Sequence, residues 1–301
     1  MNTPGYRLFH GQDVPPSSPA QALFHILPVP FEASVSYGTG TALGPRAILE
    51  ASAQLERFDG KSRPCDKGIY TAPAIDCDDD TETVLARISD AVTQSLKHNA
   101  LPIVIGGEHT VTLGPVRALK DSGRDFGVIQ FDAHADLRNT YENTPYSHAC
   151  VMRRILEMGI PLIQIGTRSY SREEADLRSE KNICFYDAET IAREGIKAVR
   201  IPSAFPRAVY LTIDIDALDS SIMPATGTPV PGGLGWYPML WIIEALLKER
   251  TCIGFDIVEF APVQNIHAYN FAAAQLIYNI MGRVVDYQSQ VTDSRPAVSG
   301  F

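Results

Sequence analysis

The sequence predicts an α/β fold, a three-layer α/β/α arrangement around a central, mainly parallel eight-stranded sheet. Short apolar or β-branched runs recur at 24–30, 68–76, 101–107, 126–132, 161–166, 183–187, 208–216 and 252–260. Helix-like segments alternate with them. Several runs, such as ALPIVIGG and CIGFDIV, are apolar on both faces, as strands covered by helices on both sides are.

The elements justify themselves in order. Residues 1–22 carry Pro4, Pro15, Pro16 and Pro19 amid polar residues and read as an N-terminal arm. The stretch SYGTGTALGPRAILEAS at 36–52 reads as a turn leading into a helix with Pro45 at its first position. Gly38, Gly40 and Gly44 lack both the GxGxxG spacing and the lysine of a phosphate loop, so nucleotide binding is not expected. Val84, Leu85, Ile88, Val92 and Leu96 fall at helical spacing within 82–98. Pro238 opens a run with Leu240, Ile243, Leu246 and Leu247 on one side, and 271–285 reads as a more fully buried helix. With no repeat, low-complexity block or linker, 23–287 is expected as a single domain, followed by a polar tail at 288–301.

Composition narrows the function. The 301 residues hold 26 Lys and Arg against 35 Asp and Glu, a formal net charge of -9, which disfavours a nucleic-acid partner and suits cationic ligands. Five cysteines, Cys65, Cys77, Cys150, Cys184 and Cys252, form no CxxC pair. Neither a disulfide framework nor a thiolate zinc site is indicated, and the reducing cytoplasm is the expected compartment. No apolar run approaches the ~20 residues needed to cross a bilayer.

Polar, ligand-type residues stand where apolar strands run out, the edge of a parallel sheet at which sites form. FGVIQFD ends in Asp132, with His134 and Asp136 following at a period of two, so that all three side chains share a face if the chain stays extended. YLTIDID ends in Asp214 and Asp216, and PIVIGGEH in Glu108 and His109. Taken singly, each acid reads as well as a turn former or helix cap. Together, four carboxylates at one edge would repel and raise one another's pKa unless a multivalent cation neutralised them. Four carboxylates and two imidazoles make a hard, mixed set suited to Mn²⁺, with Fe²⁺, Co²⁺, Ni²⁺ or Zn²⁺ as alternatives. Six ligands fit two ions ~3.5–4 Å apart better than one open catalytic ion.

The blocks GGEHT, DAHAD and DIDALD, the segment PATGTPVPGG at 224–233, and the further blocks at 36–52, SHACVMRR at 147–154 and FDIVEFAP at 255–262 resemble the ureohydrolases, the arginase and agmatinase family. The resemblance spans most of the chain. It implies an arginase-like fold and a binuclear manganese centre, two ions per subunit, held by His109, Asp132, His134, Asp136, Asp214 and Asp216. It also implies attack of a metal-bridging hydroxide on a guanidinium carbon, with Asp136 aiming that hydroxide. His148 is then the proton donor to the leaving amine and a substrate contact, against the alternative of a histidine without a role. Glu259 is expected to hold the guanidinium through charge-assisted hydrogen bonds, against the alternative of a solvated acid. Thr228 is a candidate substrate contact, and Asp256 a candidate partner orienting a metal-binding histidine. A homotrimer or homohexamer is expected.

For the substrate, Arg138 stands where arginases typically have Asn, and LRNTYENTPY lacks their Ser-Gly-Asn stretch, which disfavours arginine. The blocks at 36–49 and 146–154 look more like those of agmatinases, which convert agmatine to putrescine and urea. Departures from that pattern fall at Ala149, Ser220 and 263–270, leaving guanidinobutyrase, guanidinase, formiminoglutamase and arginase as alternatives within the family. A catalytically silent metal-binding homologue is the alternative from another class. Retention of His148 and Glu259 beside all six ligands weighs against it.

Overall fold

The computed structural model describes residues 7–11 and 13–293, with side chains through 287. Strands β1 (Phe24–Val29), β2 (Ile69–Thr71), β3 (Leu101–Gly106), β4 (Phe126–Phe131), β5 (Leu162–Ile165), β6 (Cys184–Tyr186), β7 (Ala208–Asp214) and β8 (Thr251–Val258) form one sheet. Its order is β2-β1-β3-β8-β7-β4-β5-β6. Every neighbouring pair is parallel. The expected mainly parallel sheet is therefore parallel throughout.

Helices α1 (Gly44–Ser52), α2 (Thr81–Lys97), α3 (Leu113–Asp121), α4 (Val151–Glu157), α5 (Arg172–Glu180), α6 (Ala188–Glu194), α7 (Trp236–Glu249) and α8 (His267–Asp293) lie between or after the strands. Side chains alternate along each strand, so Ile103 and Ile105 join a core with Ile48 of α1, Ile243 of α7 and Ile277 of α8. Val104 joins the opposite core, with Ile88 of α2, Leu119 of α3 and Ile155 of α4. Burying each such aliphatic side chain contributes about 1.5–3 kcal/mol. This two-sided demand explains why the central strands are mostly apolar, with Gln130, Thr212, Asp214 and Asp256 as buried polar exceptions.

Local chemistry sets the helix ends. Asp80 caps α2, its Oδ1 accepting from the Thr83 amide at 3.1 Å, and the apolar stripe of Val84, Leu85, Ile88 and Val92 is buried beyond it. Pro45 is the second residue of α1, not the first, and Pro238 is the third of α7, which begins at Trp236. Both lie in a first turn, where a missing amide costs nothing. The run 68–76 pairs as a strand only over Ile69–Thr71, because it sits at the sheet edge and Pro73 has no amide to donate. Beyond it, Ala72 and Ile75 still donate to the carbonyls of Ile26 and Pro28 at 2.9 Å.

Packing extends past the bounds expected for arm and tail. Phe9, His10 and Val14 are buried. The Phe9 amide donates to Thr71 Oγ1 at 3.0 Å, and the His10 ring lies edge-on to Tyr278 of α8. At the other end, α8 continues to Asp293, through part of the expected tail. Residues 294–301 of that tail and 1–6 and 12 of the arm lie outside the described residues.

Candidate metal centre and active site

Four adjacent central strands, β3, β8, β7 and β4, deliver the polar residues to one edge. His109 follows β3 in a 3-10 turn at His109–Thr112, and Gly107 just before it lies against β1's exit: a Cβ there would fall 1.9 Å from the Phe31 carbonyl oxygen. Only glycine permits that approach. Glu259 follows β8 with φ 60°, and Asp136 has φ 52°, both in the left-handed region that non-glycine residues rarely occupy. Such conformations persist where surrounding contacts impose them, and they concentrate at functional sites.

Asp132, His134 and Asp136 do not lie on an extended chain. β4 ends at Phe131, and Asp132 Oδ1 accepts from the His134 amide at 2.5 Å, an Asx-type turn that curls the segment back. Asp214 does the same at the end of β7, Oδ1 accepting from the Asp216 amide at 2.9 Å over the turn Ile215–Ala217. The turn-forming and ligand-type readings of these aspartates thus hold at once.

The six expected metal residues converge. His109 Nδ1 lies 3.1 Å from Asp132 Oδ2, 2.9 Å from Asp136 Oδ2 and 3.7 Å from Asp214 Oδ2. His134 Nδ1 lies 3.0 Å from Asp216 Oδ2 and 3.6 Å from Asp132 Oδ1. Two triads fit an ion, His109–Asp132–Asp214 and Asp132–His134–Asp216, and they share Asp132. Each oxygen of Asp132 faces one triad, the arrangement a bridging carboxylate requires.

The electrostatics fit cations here. Burial and the neighbouring Asp216 and Asp132 push the Asp214 carboxyl well above its ordinary range; burial and Asp132 raise Asp136 to about 7. Burial would lower the two histidines, yet the carboxylates around them win, raising His134 to about 11 and His109 well above its usual value. His109 Nδ1 is nonetheless buried with no hydrogen-bond partner. An imidazole nitrogen that faces three carboxylates without a well-directed hydrogen bond to any of them belongs to a hard N/O donor set that suits a divalent ion.

His109 Nε2 contacts Thr212 Oγ1 at 2.8 Å. Asp256 does not touch His109. Its Oδ2 accepts from Thr112 Oγ1 and the Tyr210 hydroxyl, each at 2.9 Å, and Thr112 Oγ1 lies 3.2 Å from Thr212 Oγ1. The carboxylate therefore acts on the histidine through threonine hydroxyls, which also lets it accept the Ile213 amide at 3.2 Å.

Around the cluster, His109, His134, Asp136, His148, Asp214, Thr228 and Glu259 all line one small cavity of about 20 Å³. It adjoins a cavity of about 320 Å³ whose walls include Arg138, Tyr141, Ala149, Tyr170, Glu174 and Thr228. Burial and Glu108 raise Glu259 to about 8, while its Oε1 accepts the His109 amide at 2.6 Å. Of the departures noted in the sequence, Ala149 and Arg138 reach the larger cavity, whereas Ser220 and 263–270 line neither.

His148 is fixed by residues the sequence did not single out. Its Nε2 lies 2.8 Å from Ser36 Oγ and its Nδ1 3.2 Å from Ser34 Oγ. Ser34 Oγ donates to Glu108 Oε1 at 2.8 Å, and Glu108 further accepts the Ala33 and Ser34 amides, each at 2.6 Å, and Thr110 Oγ1 at 2.7 Å. Four donors saturate that carboxylate, so Glu108 anchors the 33–36 loop and, through it, the imidazole. Burial lowers the His148 pKa. Glu108 was legible as a strand-end acid. Ser36 opens the 36–52 block, whereas nothing in the local sequence marks Ser34.

The arginase family model matches residues 22–282. A Synechocystis protein called N(1)-aminopropylagmatine ureohydrolase is 40% identical over 88% of this chain and 90% of its own length. The agmatinase of Pyrococcus horikoshii is 33% identical, covering 92% and 97%. Among solved structures, agmatine ureohydrolase of Thermoplasma volcanium superposes with a TM-score of 0.84 at 29% identity, over 96% of this chain and 97% of that one. A binuclear metal site comes with this fold, and the shared-carboxylate cluster supplies its ligand groups. The chain belongs to the arginase family, and is a hydrolase of carbon–nitrogen bonds in linear amidines.

Proposed function

We propose that the chain releases urea from guanidino-terminated polyamines, agmatine and its N1-aminopropyl derivative, using two Mn²⁺ ions. The observation that carries this reading is the cavity of about 320 Å³ beyond the ligand cluster, open enough for a chain longer than agmatine and walled by Tyr141, Tyr170 and Glu174. Aromatic faces attract cations; one face of Tyr141 and one of Tyr170 already carry Arg138 and Arg178, at 5.4 and 4.5 Å, so a polyamine's charged end meets the remaining faces. The 40% identity to an aminopropylagmatine ureohydrolase supports the longer substrate. Arg138, exposed at the cavity wall, offers nothing to the far ammonium of agmatine.

Asp132, bridging, with His109 and Asp214 on one side and His134 and Asp216 on the other, would hold the ions, with Asp136 beside His109. Bound divalent ions lower the pKa of coordinated water from ~15.7 towards ~7, supplying a nucleophile at neutral pH. Glu259, beneath the small cavity, receives the guanidinium and aligns it. Thr228 offers a hydroxyl to the same group. His148, lining both cavities, supplies the proton that the departing amine needs. By analogy with its family the chain assembles as a homotrimer or homohexamer, which light scattering measures directly.

The deciding experiment is a urea-release panel. Protein reconstituted with Mn²⁺, and in parallel with Ni²⁺, Co²⁺, Fe²⁺ or Zn²⁺, meets agmatine, N1-aminopropylagmatine, 4-guanidinobutyrate, guanidine and arginine. The highest kcat/KM is expected for the two polyamines with Mn²⁺. Release from arginine or 4-guanidinobutyrate alone would overturn the substrate, and inertness of the metal-replete protein to every guanidine would overturn the activity.

A further inference from the structure

A line of buried polar side chains runs from the shared ligand Asp132 away from the cavity. Gln130 Nε2 donates to Asp132 Oδ2 at 2.7 Å. Gln164 Nε2 donates to Gln130 Oε1 at 2.5 Å and to the Ala135 carbonyl at 2.7 Å. Arg178 Nε donates to Gln164 Oε1 at 2.7 Å. Gln130, Gln164 and Arg178 are each no more than 2% exposed. The two glutamines are register partners on β4 and β5, the polar members of otherwise apolar strands.

The direction of this line is forced. A guanidinium has only donors, so Gln164 must turn its carbonyl to Arg178 and its amide NH₂ to Gln130. Gln130 must then present its own carbonyl to Gln164 and its NH₂ to Asp132. Arg178 itself is held by Asp187 Oδ1 at 3.0 Å and lies between the rings of Tyr170 and Phe185, 4.5 and 4.7 Å from their centroids. On Asp132 the two oxygens are treated alike: Oδ1 takes the His134 amide, Oδ2 takes Gln130, and each faces a different triad. One of the two donors is thus a side chain whose orientation follows from Arg178 through Gln164, and the His134 carbonyl, 3.4 Å from Gln130 Nε2, favours the same sense.

We infer that Gln130, Gln164 and Arg178 form a polarised relay that positions Asp132 to bridge two metal ions. The relay holds the carboxylate in the orientation that divides its oxygens between the triads, with a donor on the far side of Oδ2. It rests on the binuclear reading of the cluster. Partners of this kind, one step behind the ligands, typically contribute about 10–100-fold to metal affinity.

Gln164→Glu tests the polarity without changing shape. The introduced carboxylate still accepts from Arg178 but has no hydrogen for Gln130 Oε1 or the Ala135 carbonyl, so oxygen opposes oxygen at both contacts, and relieving the first by turning Gln130 would set its carbonyl against Asp132 Oδ2 and the His134 carbonyl. Mn²⁺ binding to the metal-free full chain, measured by titration calorimetry with metal content checked after dialysis, is expected to weaken about 10–100-fold for at least one ion. Gln130→Met, of similar length without a donor, is expected to do the same, and it decides the matter if Gln164→Glu does not fold by circular dichroism. Wild-type-like Mn²⁺ affinity in the folded variants, even with a lowered melting temperature, would overturn the relay, as would a loss confined to Gln130→Met. Failure of the wild-type chain to bind two Mn²⁺ would instead overturn the binuclear reading.

Discussion

The ligand cluster and the mouth of the cavity differ in every physical respect that matters. The cluster stands on the ends of four neighbouring strands, with Asp132 fully buried and Asp136, Asp214 and Asp216 nearly so. The mouth is assembled from loop residues and the start of α5: Arg138 and Tyr170 are exposed and Tyr141 is half-buried. Rigid strand ends fix ligand positions to within fractions of an ångström, whereas a solvated rim tolerates exchange of side chains. Chemistry that depends on placement should be intolerant of substitution, and substrate choice should be adjustable. His148 stands between the two, lining the mouth but anchored through Ser34 to Glu108, next in sequence to the ligand His109.

His148→Ala is expected to show the largest effect among residues that do not touch metal. It should lower kcat about 10²–10⁴-fold while metal content stays at the wild-type level, read by plasma emission spectrometry and urea release on the same sample. A parallel loss of metal would place His148 with the cluster and erase the distinction.

Ser34→Ala is intermediate. It removes the hydroxyl joining Glu108 to His148 and leaves both in place. Losing hydrogen bonds of about 1–1.5 kcal/mol from the orientation of the proton donor corresponds to roughly a tenfold fall in kcat. Mn²⁺ content and KM should be unchanged, and an effect on KM alone would show that the serine serves the rim and not the imidazole.

The smallest change is expected at the rim. Arg138→Ala removes an exposed positive charge whose guanidinium lies 5.4 Å from the Tyr141 ring centroid. Across solvent, such a charge is worth no more than about 1 kcal/mol, so kcat/KM for a polyamine should rise about two- to fivefold, less at high salt. For 4-guanidinobutyrate it should fall. Movement of both substrates in the same direction would show that Arg138 shapes the cavity and does not select charge.

Much of the site was legible because strand ends advertise themselves. Asp132, Asp214 and His109 each stand at or just past the end of a mostly apolar run, and a carboxylate or imidazole there has few reasons to exist apart from a turn or a ligand. The path between them was less legible. The period-of-two spacing in DAHAD suggested an extended chain, but the Asp132 carboxylate captures the His134 amide and bends it, an interaction that depends on χ angles and not on residue order. Asp256 stands out in the sequence, but its route to His109 does not: the threonines between them come from β7 and the turn after β3. Ser34 carries no signal and Ser36 only its place at the start of the 36–52 block, since serines in a polar loop are common. Gln130 and Gln164 carried a faint one, as single polar residues inside apolar strands.

By itself, then, the sequence determined the layer architecture and the set of candidate ligands, because hydrophobic periodicity and strand-end chemistry are local properties of the chain. The tertiary structure alone decided that β4 and β5 bring Gln130 beside Gln164 in register, that one aspartate serves two triads, and that Glu108 holds His148 across 40 residues. Those are consequences of strand order and of side-chain hydrogen bonds between segments distant in sequence, and no pattern along a single segment encodes them.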